Sequence, residues 1–239
     1  MKPLLIIKAG TTFPNTARQY GDFEDWTIRG LGVPVDQVRV VDVYNNEPLP
    51  EIGCFSATVI LGSHFMVTDH EPWCENLALW IPDLIKQRIP FLGLCFGHQL
   101  LAYAMGGEVG NHPTGKEIGT VQIQVNKNGT SDTLLKTLPK EFLVHVTHSQ
   151  TVLRLPKDAV LLARNAFEPH HAIRIGDCAW GIQFHPEFDA TIMRSYIHEQ
   201  SKALEDEGLN PSSICSSVTE TPHSAKVLQR FASIVRLGY

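Results

Sequence analysis

The chain has 239 residues, 43% hydrophobic and 19% charged, with a formal net charge of −5. That composition supplies material for one sizeable core and lacks the basic excess of a nucleic-acid binder. Its five cysteines (Cys54, Cys74, Cys95, Cys178, Cys215) are odd in number, scattered and never spaced C-x-x-C, which speaks against a disulfide framework or a zinc site and for a reducing, cytoplasmic setting.

Residues 4–7 are a continuous aliphatic run closed by Ala9 and Gly10, as expected of a strand buried on both faces. The run is too short for a signal peptide or a membrane span. A helix is expected within 16–31, with Phe23, Trp26 and Leu31 as its apolar contacts. Strands are expected at 38–43 and 57–61, the latter followed by Gly62-Ser63-His64. A helix starting near Pro72 places Leu77, Trp80, Ile81 and Leu84 on one face, with a kink at Pro82. Residues 91–94 form a further strand and 96–105 a helix, stopped by Gly106 and Gly107.

This alternation predicts an α/β fold with a doubly wound, mostly parallel sheet and flanking helices, whose ligands gather at the carboxyl ends of the strands. Beyond Gly107 come shorter extended runs, at 119–125, 142–146, 172–175 and 179–184, expected as β-hairpins added beside the main sheet. Asp189 is expected to cap a helix reaching Gly208. Residues 209–220 read as a linker or surface loop, and Thr221 as the N-cap of a last helix with Val227, Leu228, Phe231, Ile234 and Val235 on one stripe. Residues 1–239 are thus expected to form a single domain, with 206–239 as a linker plus C-terminal helix extension.

Within this frame one stretch carries chemistry. Gly93-Leu94-Cys95-Phe96-Gly97-His98-Gln99 has the pattern of a strand, a sharp strained turn and a helix, with Cys95 projecting from the sheet edge. The helix N-terminus favours the thiolate of a thiol placed there, so Cys95 is a candidate nucleophile; the competing reading makes it a small buried hydrophobe beside packing glycines. A nucleophile needs a base and a group that orients the base. His185 and Glu187, two apart at the end of an extended run, could share a face, and the carboxylate would then fix the imidazole tautomer. His98, His145 and His148 lack an acidic companion at ligand spacing and read as polar loop residues rather than a metal site.

Gly93-Leu94-Cys95-Phe96-Gly97-His98-Gln99, followed ninety residues later by Gly181-Ile182-Gln183-Phe184-His185-Pro186-Glu187, resembles the class I (triad) glutamine amidotransferases, nearest to the glutaminase domain of GMP synthetase and its free-standing relatives. The resemblance runs from the third strand to Glu187 and implies a flavodoxin-like sheet and a cofactor-free enzyme. Cys95 would attack the γ-amide of glutamine, His185 would shuttle the proton and Glu187 would hold His185; a thioester forms, ammonia leaves and water releases glutamate. It implies an oxyanion hole from the backbone N–H of Phe96 and from the turn at Gly62 and Ser63, where Ser63 and His64 replace glycine and proline of the family's Gly-Gly-Pro. Gln99, Ser149 and Gln150 are the implied substrate-binding residues. The chain has no P-loop lysine motif, so either a separate synthetase subunit takes up the ammonia or the protein acts alone, as a glutaminase or a γ-glutamyl peptide hydrolase. A third possibility is a domain that binds glutamine or a partner without catalysis. No nucleic-acid or membrane partner is expected.

Overall fold

The computed structural model describes residues 2–238. Its centre is a nine-stranded sheet whose first half follows the expected alternation. β1 (Leu4–Lys8) pairs in parallel with β2 (Val38–Asp42) and β3 (Ala57–Ile60), β3 with β4 (Phe91–Leu94), and β4 with a strand from far along the chain. Between them lie helices α1 (Pro14–Tyr20) and α2 (Phe23–Leu31), α3 (Pro72–Lys86) and α4 (Phe96–Ala104). The fold is α/β with a doubly wound sheet. Alternation along β1 shows why both faces need helices: Leu4 and Ile6 enter one buried cluster with Phe23 and Trp26 of α2, whereas Leu5 and Ile7 enter another with Leu77 and Ile81 of α3 and Leu100 of α4.

The expected helix within 16–31 is two helices. Gly21 at φ 87° ends α1, and Asp22 starts α2 through a capping box with Asp25. α3 runs through Pro82 without interruption.

In the second half the expected hairpins lie beside the parallel strands, most of them as a continuation of the same sheet. β5 (Glu108–Asn111) and β8 (Gln150–Arg154) form a small two-stranded sheet. By contrast β6 (Glu117–Val125), β7 (Glu141–His148), β9 (Ala159–Arg164), β10 (Ala172–Ile175) and β11 (Ala179–Ile182) extend the main sheet, in the order β2-β1-β3-β4-β11-β10-β9-β6-β7. A one-turn helix, α5 (Lys127–Ser131), follows β6. β11 is the parallel partner of β4, with Gly181 opposite Gly93 and Ile182 opposite Leu94, and antiparallel β10, β9, β6 and β7 continue beyond it.

Asp189 caps α6 (Ala190–Glu199) by accepting from Ile192 N, but the helix stops at Gln200 and α7 (Ser201–Asp206) follows. The expected loop at 209–220 contains a further helix, α8 (Pro211–Ser216), capped by Asn210. Thr221 precedes α9 (Pro222–Leu237) without a side-chain cap bond. The α9 stripe, Val227, Leu228 and Phe231, is fully buried with Trp26 and Trp180 in the first cluster, so this helix closes one face of the sheet. No helix among the described residues is long and apolar enough to cross a membrane.

Candidate active site

The turn between β4 and α4 is built by close backbone approach. A Cβ on Gly93 would lie 2.3 Å from Gly97 O, and one on Gly97 would lie 2.4 Å from Ile60 O. Only glycines let β3, β4 and the first turn of α4 stack this tightly. The glycines do pack closely, and that packing sets the turn: Cys95, at φ 48° and ψ −97°, occupies a strained positive-φ conformation that costs a non-glycine residue on the order of 1–3 kcal/mol. Its N–H is anchored to Ile182 O at 2.8 Å and its carbonyl to Gln99 N at 3.1 Å. Contrary to the exposed side chain expected, Cys95 is recessed, with 6% exposure at the floor of a cavity of about 370 Å³.

His185 and Glu187 arrive beside it from β11. The strand ends at Ile182, so the pair owes its alignment to an irregular segment rather than to strand alternation. That segment is pinned by His185 N donating to His145 O at 2.9 Å and by ring stacking of His185 on Phe188 at 4.3 Å. His185 Nδ1 and Glu187 Oε1 are 2.7 Å apart, both groups buried. Burial alone would depress the imidazolium, but the Glu187 carboxylate and the negative charge of Cys95 outweigh it and raise His185 to about 10. With Nδ1 taken by Glu187, Nε2 is the nitrogen left toward Cys95, and it takes no other protein partner among the described residues. Gly62 lies against the same ring: a Cβ there would sit 3.0 Å from His185 Cε1.

Phe96, Ser63, Gln99, Ser149 and Gln150 all line the cavity with Cys95 and His185. The Ser63 hydroxyl donates to Ala9 O at 2.6 Å and accepts from Phe65 N at 3.0 Å, which ties the turn after β3 to the end of β1. Gln99 Nε2 donates to Gln150 O and to Gln183 Oε1, and Gln183 Nε2 reaches Cys95 Sγ at 3.4 Å. The Gln150 amide turns to Thr68 and Asn111. Thus Gln99 braces the nucleophile turn against the 147–150 segment, and Gln183, not singled out from the sequence, touches the sulfur.

Three histidines expected as loop residues are buried in regular structure. His98 on α4 is enclosed against Gly181 and held neutral, its pKa lowered to about 3 by burial and neighbouring imidazoles. His145 on β7 is lowered to about 4, chiefly by burial, and meets Thr120 Oγ1. His148 does have an acidic companion. Glu117 is its register partner on β6, with Nε2 to Oε2 at 3.0 Å, while Nδ1 bonds Gln150 O. Burial would raise the Glu117 carboxyl, but His148, His171 and Asn165 hold it below its ordinary value. Among the described residues no group of three His, Cys, Asp or Glu side chains has a geometry that could hold a metal ion.

The family model for class-I glutamine amidotransferases matches residues 27–203. The chain belongs to this family. It is 43% identical over 98 residues to a glutamine-hydrolysing GMP synthase of Aeropyrum pernix, a match covering 41% of this chain and 18% of that protein. A subunit of the glutamine-hydrolysing GMP synthase of Saccharolobus solfataricus is 30% identical over 174 residues, which are 72% of this chain and 86% of that one. A glutamine amidotransferase crystal structure from Thermotoga maritima superposes with a TM-score of 0.75 at 22% identity, over 98% of this chain and 97% of that one. The chain therefore matches a quarter or less of the length of the longer GMP synthases of Aeropyrum and Thermosipho, but most of the Saccharolobus subunit. At the turn after β3, His64 packs on Phe13 at 4.4 Å, and burial lowers it to about 4.

Proposed function

We propose that the protein hydrolyses the γ-amide of glutamine through a cysteinyl thioester, with Cys95 as nucleophile, His185 as acid and base, and Glu187 as the group that orients His185. The observation that carries this is the strained β4–α4 turn, which aims Cys95 at an imidazole already held by a buried carboxylate. The Cys95 thiolate adds to the amide carbon, and the oxyanion is met by the backbone N–H groups of Phe96 and of the Gly62–Ser63 turn. His185 Nε2–H protonates the departing nitrogen and ammonia leaves the thioester. Water then attacks as His185 accepts its proton, the C–S bond breaks, and glutamate and free Cys95 are restored. Glu187 keeps Nδ1 protonated throughout, so Nε2 is the nitrogen that gives and takes the proton.

Gln99, Ser149 and Gln150 bind the glutamyl part of the substrate. The protein works in the cytoplasm without a cofactor, and a separate synthetase subunit takes up the ammonia, as suits a chain that aligns with most of the Saccharolobus subunit. A second reading, cleavage of γ-glutamyl peptides without a partner, is favoured by one feature: about 370 Å³ of cavity walled by Phe13, Phe23, Phe65 and Tyr196 falls in the range that encloses ligands larger than one amino acid.

Glutamate release by the purified protein tests both. Release from glutamine that disappears in Cys95→Ala supports the first reading, and faster release from γ-glutamyl dipeptides supports the second. Release from glutamine that persists in a folded Cys95→Ala protein overturns the nucleophile assignment. A protein silent on every substrate, alone and with a synthetase subunit present, overturns both.

A further inference from the structure

Two charged groups in the cavity, Lys116 and Glu199, are left over by the chemistry above, and only the lysine is a cation. Lys116, immediately before β6, lines the same cavity as Cys95, at the end formed by Thr147, Glu199, Gln200 and Ala203. Its ammonium donates to Gln200 Oε1 at 2.5 Å, and the Gln200 amide in turn donates to Thr147 Oγ1 at 3.3 Å, so the lysine is held by neutral groups. It forms no ion pair with a carboxylate among the described residues, Glu199 included. The other partly enclosed lysine of the chain, Lys8, is satisfied by both Asp22 and Glu24. Burial lowers Lys116 against the opposing pull of Glu207 and of negative charge at Cys95. A mostly buried cation with no carboxylate in direct contact is costly. A cavity that offers one to a ligand recovers the cost when the ligand brings the anion.

We propose that Lys116 is the carboxylate-recognition residue of this cavity, so that the acyl donors it accepts carry a free carboxylate reaching the junction of α6 and α7. The inference rests on the proposed amide hydrolysis for its choice of ligand. Two positions on a γ-glutamyl donor could supply the group: the α-carboxylate of the glutamyl part, or a carboxylate on the departing amine. Gln200, at the break between α6 and α7, holds the ammonium from the cavity wall.

The test compares matched donors in wild type, Lys116→Gln and Lys116→Arg. Glutamine against its α-amide reads the first source; γ-glutamylglycine against γ-glutamylglycinamide reads the second. Wild type is expected to prefer the free acid of one pair by at least about tenfold in kcat/KM, mostly through KM, because a desolvated charge pair loses that much or more when one partner is removed. Lys116→Gln is expected to erase the preference and Lys116→Arg to keep part of it. The pair that responds names the source of the carboxylate. Preferences that persist unchanged in Lys116→Gln, or wild type that does not distinguish acid from amide in either pair, overturn the inference while leaving amide hydrolysis standing. The wild-type comparison needs no mutant and so survives a variant that fails to fold. If wild type turns over nothing, calorimetric binding of the same donors to Cys95→Ala, with and without Lys116→Gln, decides it. Affinity that depends on Lys116 upholds the inference even though the hydrolytic reading has failed, and the absence of binding overturns both.

Discussion

Replacing Gly97 with alanine inserts a methyl carbon 2.4 Å from Ile60 O and 3.0 Å from Ile60 Cβ. The first contact falls on the backbone of the interior strand β3 and cannot be relieved by a rotamer change. Restoring an ordinary separation of 3.4 Å requires α4 and β3 to part by about 1 Å. Overpacking of this kind costs about 1–3 kcal/mol, which for a chain of this size lowers Tm by roughly 2–12 °C. The larger effect falls on chemistry. Residue 97 lies two positions after Cys95, and a 1 Å displacement of a reacting group costs on the order of 100-fold in rate. Gly97→Ala is therefore expected to remain folded, by circular dichroism and a cooperative melt, yet to lose about two orders of magnitude in Cys95-dependent glutamate release. Alkylation of Cys95 by a γ-glutamyl-like electrophile, followed by peptide mapping, should slow in parallel. A variant that melts within a degree of wild type and turns over at the same rate would refute the claim that this contact sets the nucleophile.

Protonation should divide the histidines into two opposed groups. His64, His98, His145 and His171, lowered to about 4, 3, 4 and 3, lie below the ordinary 6.5, so the stability they allow is complete above pH 6.5 and falls as pH drops toward 4; equal urea midpoints at pH 7.5 and 4.5 would contradict this. His185 is raised, so its contribution is complete below pH 6.5 and is lost as pH rises through about 10. Glu187→Gln should lower the His185 pKa, measured by nitrogen-15 NMR of the ring, and an unmoved titration would show that Glu187 is not what holds the proton. Glu117→Gln removes a buried carboxylate shared by His148, His171 and Asn165; a loss of about 1.5–3 kcal/mol in urea unfolding is expected, the range for hydrogen bonds to a charged group, and a midpoint unchanged from wild type would contradict the network's role. Phe231→Ala on α9 should cost about 3–5 kcal/mol, and a Tm unchanged from wild type would mean that α9 contributes little to the core.

How much of the site is legible in the sequence depends on how local each signal is. Cys95 with its glycines and His185 with Glu187 are compact patterns whose chemistry is written in the residue types, and the structure brings them together across ninety residues of chain. Strand alternation does not account for the alignment of His185 with Glu187, because β11 stops three residues short of His185, and the pairing comes from backbone contacts that no local pattern encodes. Glu117 and His148 are opposite one another only through the register of β6 and β7, and Lys116 meets Gln200 across 84 residues of chain, at a helix break that Gln200, a residue with no breaking tendency of its own, does not signal. β9 escapes a reading of the sequence because Ala159–Arg164 lacks clean alternation, although Pro156, Asp158 and Asn165 punctuate it on both sides. By contrast α8 carries a local signal: Asn210 followed by Pro211 is a helix start, obscured by the small polar residues around it.

The pairing of β4 with β11 divides the cavity into two mechanical halves. Cys95 and the segment bearing His185 are attached to neighbouring strands joined by ladder bonds, with Ile182 O gripping Cys95 N directly. Sliding one past the other would break several of those bonds at once, so the gap between sulfur and imidazole is insulated from whatever occupies the cavity. The facing walls belong instead to the turn at 62–66 and the α6–α7 break, which are tied in place by side-chain bonds such as those of Ser63 and Gln200, and to the 147–150 corner where β7 passes into β8. Variation among members of such a family can then reshape what is admitted by changing the second half, residue by residue, without retuning the first.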